Sequence, residues 1–323
     1  MNLSCLRIGS YALLCCLAVT VLSAQDYPGM GPAGALTTIA FEQPEEVIFH
    51  GPNDRAQLVV TGKYSSGQLH DLTHGVPYSV QPSGVVQVGK DGFVVPQSDG
   101  EATITARSAD GKTATLKCQV VSFASPRPIN FSNEITPIFT KLGCNAGGCH
   151  GKSGGQNGFR LSLLGFYPEE DYEWLVKEHR GRRIFQAAPE FSLLLTKPLN
   201  KLPHGGGRRL DESSYEYQLL TRWIEQGMPF GTEEDPTVQR IEVLPKTRDM
   251  NRETRQQLKV IAHYSDNSIR DVTRLTSFEA NDVDLCDSDS KGLVNIFARP
   301  GDAVVVVRFQ GHVDVFRAVV PLG

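Results

Sequence analysis

Two stretches of the chain alternate apolar and polar residues with period two, and the stretch between them changes to a period of three to four. In the first, Leu58, Val60 and Gly62 fall at alternate positions before a turn at Ser65-Ser66-Gly67. In the last, Leu258, Val260 and Ala262 do the same before Ser265-Asp266-Asn267. Such alternation predicts half-buried strands, and Gly, Asn and Asp turns roughly every ten residues predict a small β-sandwich in each stretch. In the middle, Ile135, Ile138, Phe139 and Leu142 share one helical face, with Ser132 or Asn133 placed to cap it and Pro137 tolerated near its first turn. Tyr215, Leu219, Leu220, Trp223 and Ile224 form a second stripe that starts near Asp211 and ends at Gly227 before Pro229. A charged helix is expected from Pro168 to His179. Pro126-Arg127-Pro128 and the segment from Gly231 to Pro236 mark the two boundaries.

The outer stretches repeat each other at an offset of about 200 residues, the sequence signature of a duplicated unit. Gln57-Leu58-Val59-Val60, Tyr64-Ser65 and Asp71-Leu72-Thr73 return as Gln257-Leu258-Lys259-Val260, Tyr264-Ser265 and Asp271-Val272-Thr273. Tyr78 answers to Phe278, and Asp91-Gly92-Phe93-Val94 to Lys291-Gly292-Leu293-Val294. Gly100-Glu101-Ala102 answers to Gly301-Asp302-Ala303. Neither copy gathers a catalytic cluster, so His70, His74, His263 and His312 read as ordinary surface or turn residues.

Composition adds three constraints. A chain of 323 residues with 40% hydrophobic side chains has room for two or three domains, and a net charge of −4 excludes a nucleic-acid footprint spread over the whole sequence. Arg7, the apolar run from Tyr11 to Leu22 and the small residues up to Ala24 predict a secretory signal over 1–24, too short for a comfortable membrane span. Export to the periplasm or cell surface is therefore expected. Cleavage would remove Cys5, Cys15 and Cys16, leaving Cys118, Cys144, Cys149 and Cys286, too few for a disulfide scaffold. Cys118 and Cys286 do not occupy equivalent places in the repeat and read as buried strand residues.

The first central helix runs into Gly143-Cys144-Asn145-Ala146-Gly147-Gly148-Cys149-His150-Gly151. Two nearby thiols can add to the two vinyl groups of haem, and a histidine directly after the second can reach the iron. The usual spacing is two residues; here it is four, and Gly147 and Gly148 give the loop freedom to bulge. Two alternatives remain open: a Cys144–Cys149 disulfide, or a zinc ion held by both thiolates, His150 and a fourth ligand such as His204. Arg180, Arg182, Arg183, Arg208 and Arg209 read first as a solvated surface. Their functional alternative is pairing with haem carboxylates or steering an acidic partner.

The repeated pattern resembles the bacterial immunoglobulin-like domain of group 2 (BIG2) over about 36–122 and 238–320. The central pieces resemble the cytochrome c-like domains of large exported planctomycete proteins over about 128–232. The matching pieces are Phe139 to Gly151, Gly158 to Leu163, Ser192 to Pro198, Leu202 to Gly207 and Trp223 to Gly227. The resemblance implies a multidomain fold: two all-β immunoglobulin-like sandwiches flanking a mainly α cytochrome c-like domain. It implies one covalent haem c on Cys144 and Cys149, with His150 as proximal ligand. Related domains place a Met-Pro before the last helix, where this chain has Leu202-Pro203-His204. His204 is therefore the expected distal ligand, with Met228, His179 or an open position as alternatives. The implied activity is one-electron transfer between redox donor and acceptor proteins, without catalysis. The alternative is a cell-surface structural or binding protein whose central part is a disulfide- or zinc-held insert.

Overall fold

The computed structural model describes residues 29–42 and 46–323, so the expected signal segment lies outside the described residues. Each outer stretch folds as three small sheets with the same strand order. In the first copy Leu36–Phe41, Val60–Tyr64 and Leu69–Asp71 form one antiparallel sheet. A second holds Glu46–His50, Thr113–Val121, Gly100–Arg107 and Tyr78–Gln81, with the first pair parallel. A third joins Ala56–Gln57, Phe93–Pro96 and Val86–Val88. The second copy repeats this with Val238–Leu244, Lys259–Tyr264 and Ile269–Asp271, then Thr247–Asp249, His312–Val320, Gly301–Phe309 and Ser277–Ala280. Even the register irregularity in the first strand recurs, between Leu36 and Thr38 and between Val238 and Arg240.

The two copies dock reciprocally. Gln57 N–H donates to Asp271 Oδ2 and Gln257 N–H donates to Asp71 Oδ2, both at 2.7 Å. His74 meets Gln257 Oε1 at 3.0 Å, and its counterpart Arg274 donates to Gln57 Oε1 at 2.9 Å. Equivalent residues thus exchange equivalent bonds, the arrangement of an isologous two-fold interface built within one chain.

The expectation of a mainly α cytochrome c-like domain between the sandwiches is overturned. The described chain is 35% strand and 17% helix. In the central segment regular α-helix is confined to α1 (Thr136–Lys141), α2 (Pro168–Tyr172), α3 (Leu193–Thr196) and α4 (Tyr215–Glu225). The rest is single turns and loops. The physical cause is local: Asn157, Leu164, His179, Arg180 and Asn200 all have φ between 52° and 62°, which no right-handed helix accommodates. The charged helix expected to reach His179 runs as α over Pro168–Tyr172, continues as a wider π turn over Glu173–Lys177, and stops before the left-handed His179 and Arg180. The caps also move. The turn ahead of α1 is capped by Asn130, whose side chain accepts from Asn133 N–H, and α4 by Ser214 rather than Asp211.

Nor is the central segment packed as an independent layer. Ile129, Phe131, Ile135, Trp223 and Ile224 belong to one continuous buried cluster with Val260, Val305 and Phe316 of the second sandwich. Lys141 ties the parts together, donating at 2.6 Å to both Glu216 Oε1 of α4 and the Arg274 carbonyl.

Candidate functional site

A cavity of about 500 Å³ opens in the central segment, within the range of roughly 300–1,000 Å³ common for small-molecule sites. Its floor is apolar, with Ile138 and Phe139 of α1, Leu175, Leu193 and Leu220 of α4. Cys144, Cys149, His150, His179 and His204 line it, together with Arg182, Arg183, Lys197 and Arg209. Among the described residues four permanent cations and no Asp or Glu line this space, although the chain as a whole is acidic. Arg208, the neighbour of Arg209, instead pairs on the surface with Asp211 at 2.6 Å.

The loop after α1 is folded by its own backbone. Cys144 N–H donates to Phe139 O at 2.8 Å, Cys149 N–H to Ala146 O at 2.9 Å, and His150 N–H closes the loop on Cys144 O at 2.9 Å. Gly151 is required where the loop crosses itself, since a Cβ there would lie 2.0 Å from the Asn145 carbonyl oxygen. Both loop thiols are free, as are Cys118 and Cys286, which are buried in strands as expected. Burial pushes the Cys144 thiol up to about 12; the neighbouring Cys149 adds to this and Arg209 opposes it.

His150 and His204 face each other with ring centroids 6.4 Å apart and ring planes 13° from parallel. His150 Nδ1 lies 2.9 Å from the Phe159 carbonyl and His204 Nδ1 lies 2.8 Å from the Gly207 carbonyl. A carbonyl can only accept, so in each ring the proton sits on Nδ1 and the lone pair on Nε2. This is how a protein prepares an imidazole ligand. Burial lowers the His150 pKa further, with His204 and Arg183 acting in the same direction and the Phe159 carbonyl opposing.

The other candidates separate by position. His179 lines the same cavity from its kinked turn. Met228 is not on the cavity wall; its carbonyl accepts from the Tyr172 hydroxyl at 2.7 Å and its side chain packs against the core. Among the described residues no three His, Cys, Asp or Glu side chains gather to hold a metal ion. The expected metal-binding character is corrected accordingly: Cys144, Cys149, His150 and His204 do not form the tetrahedral cluster that zinc takes. With both thiols free, the disulfide-held insert is not formed either.

Sequence reasoning named Arg183 in a basic cluster, as solvated surface or as a partner for haem carboxylates, and missed its burial. Its guanidinium donates to the carbonyls of Trp174 (2.8 Å), Glu178 (3.4 Å) and Gly158 (2.6 Å). It also lies 4.6 Å from the centre of the Phe159 ring, which in turn lies 4.6 Å from that of His150.

No family model matches the chain, and no curated protein matches it. Among solved structures, domains 5–6 of the S-layer protein SbsC are 13% identical with a TM-score of 0.32, covering 88% of this chain and 98% of that one. A longer SbsC fragment matches at 9% identity and a TM-score of 0.24; the match covers 90% of this chain but only 29% of that chain. Tandem immunoglobulin repeats of Dlar match at 8% identity and a TM-score of 0.18, covering 88% and 95%. None of these three is a cytochrome, and likenesses of this size assign no function. No helix among the described residues is long and apolar enough to cross a membrane.

Proposed function

We propose that the central cavity holds one haem and that the chain carries single electrons outside the cytoplasm. The observation that carries this reading is that His150 and His204 line one cavity with ring centroids 6.4 Å apart, each holding Nδ1 against a main-chain carbonyl and so leaving Nε2 as the atom that would ligate. A haem iron takes only these two ligands from protein, so the site needs no larger cluster of donors. The wall fits the rest of the group. Its floor is apolar, its wall offers cations and, among the described residues, no acids to two carboxylates, and Cys144 and Cys149 on the same wall would form the thioethers to two vinyl groups. Bound there, the group would supply reversible one-electron chemistry. The chain's own part is to hold both imidazoles in one tautomer and to keep the apolar side of the cavity dry. Export rests on the leader-like segment over 1–24.

The test is an absorption spectrum of the chain exported alongside cytochrome maturation proteins, with a pyridine haemochrome assay. A sharp reduced α-band that survives acid–acetone extraction is expected, and His204→Ala is expected to open the iron to carbon monoxide. A colourless chain, with a control cytochrome matured in the same cells, refutes the proposal.

A second reading is favoured by the reciprocal docking of the sandwiches, which makes them one body. On it the chain is a structural module at the cell surface, and the central segment is carried without redox use. Retention of a colourless but folded chain on isolated cell envelopes would support this reading.

A further inference from the structure

We infer that Arg183 is a positioning residue of this site and also sets its affinity for an electron. The inference rests on the proposed haem reading and goes beyond it by assigning a role to a residue that makes no ligand bond. Three observations meet at this side chain. It is buried at 7% exposure, where a cation is costly unless something requires it. Its hydrogen bonds go to three main-chain carbonyls from two separate segments, Gly158 on one side and Trp174 and Glu178 on the other. Those carbonyls fix the fork and leave its positive charge in place.

The third observation is its path to the ligand. The guanidinium covers the Phe159 ring, and Phe159 both packs that ring against His150 and accepts the His150 Nδ1 proton on its carbonyl. Arg183 also holds Gly158, the residue before Phe159, through its shortest bond. It therefore fixes the segment that fixes the tautomer and orientation of His150. At the same time it is the most buried of the four cations on the cavity wall. A cation kept in a water-poor wall acts at a lower effective dielectric than one on the surface, and favours the state of the site that carries one more electron. Carrying this charge on Arg rather than Lys keeps it in a planar fork that three carbonyls can hold at once.

The experiment is a spectroscopic redox titration of the pigmented wild-type chain beside Arg183→Gln, Arg183→Met and Arg183→Lys, with a urea melt of each. Both neutral variants are expected to shift to a lower reduction potential. Arg183→Lys is expected to fall between the wild type and the neutral variants in potential while melting earlier, because its ammonium keeps the charge and loses the fork that holds the Phe159 segment. A purely structural residue would lower the melts of all three variants and leave the potentials together; that result overturns the inference. Equal shifts in the Lys and neutral variants overturn it as well, since charge would then not be the cause. A wild-type chain that takes up no pigment overturns the proposed function and this inference with it. A pigmented wild type with four equal potentials overturns this inference alone.

Discussion

The duplication supplies its own control for the energetics of the docked sandwiches. Asp271 accepts from Gln57 N–H at 2.7 Å, from Thr273 N–H at 3.0 Å and from Thr273 Oγ at 2.6 Å, and pairs with Lys259 Nζ at 3.5 Å. Asp71 accepts the same three bonds, from Gln257 N–H and from Thr73, but residue 59 beside it is Val where the other copy has Lys259. Asp71→Ala therefore removes an acceptor and leaves no buried cation behind, a loss of about 1–3 kcal/mol. Asp271→Ala strands the Lys259 ammonium, whose side chain is only 4% exposed, and breaking a buried pair from one side costs about 3–5 kcal/mol. The gap between two otherwise matched substitutions is then about 2 kcal/mol, assignable to Lys259. Lys259→Val, which copies the other sandwich, should recover most of that gap in the Asp271→Ala background, because the two side chains touch and their effects are coupled. Urea melts of the three variants and the wild type, read by far-ultraviolet circular dichroism, measure it. Equal losses for the two Asp variants, or no recovery with Lys259→Val, would refute the reasoning.

Two further outcomes follow from the central segment. Asp171, fully buried and bonded by Ser162 N–H and by Ser162 Oγ at 2.8 Å, is pushed up to about 6 by burial, from an ordinary value near 3.8. The folded state then binds more protons than the unfolded state between those two values, so stability falls as pH rises from about 4 to 6, by about 3 kcal/mol. Asp171→Asn should flatten the fall; an unchanged pH profile of melting in that variant refutes the assignment. Trp223 is fully buried, donates from Nε1 to Pro229 O at 2.9 Å and packs its ring 5.5 Å from Phe131. Trp223→Ala should cost about 3–5 kcal/mol in the same urea assay, and a loss under 1 kcal/mol would show that α4 does not hold the segment closed.

What the sequence determined by itself is local or repeated. The alternation around Leu58 and Leu258 and the recurring turn residues specify strands and turns from neighbours a few positions apart, so the two copies have the same topology down to the irregular first strand. The stripe from Leu219 to Ile224 likewise predicts α4. The close spacing of Cys144, Cys149 and His150 guarantees that they share a loop whatever surrounds it. Tertiary structure decided the rest, because it depends on partners far along the chain. The reciprocal bonds of Gln57 with Asp271 and Gln257 with Asp71 join residues 214 and 186 positions apart, and no local pattern marks them. The mainly helical middle was misread because its two amphipathic stripes mark only α1 and α4, while the long stretch between them is broken by left-handed backbone at Leu164, His179 and Arg180. Arg183 read as one charge in a basic run, solvated or pairing with haem carboxylates, with nothing to set it apart from Arg180 and Arg182. Only folding surrounds it with three carbonyls and an aromatic ring, and a sequence cannot show that a charge has been taken out of water until the chain that covers it is in place.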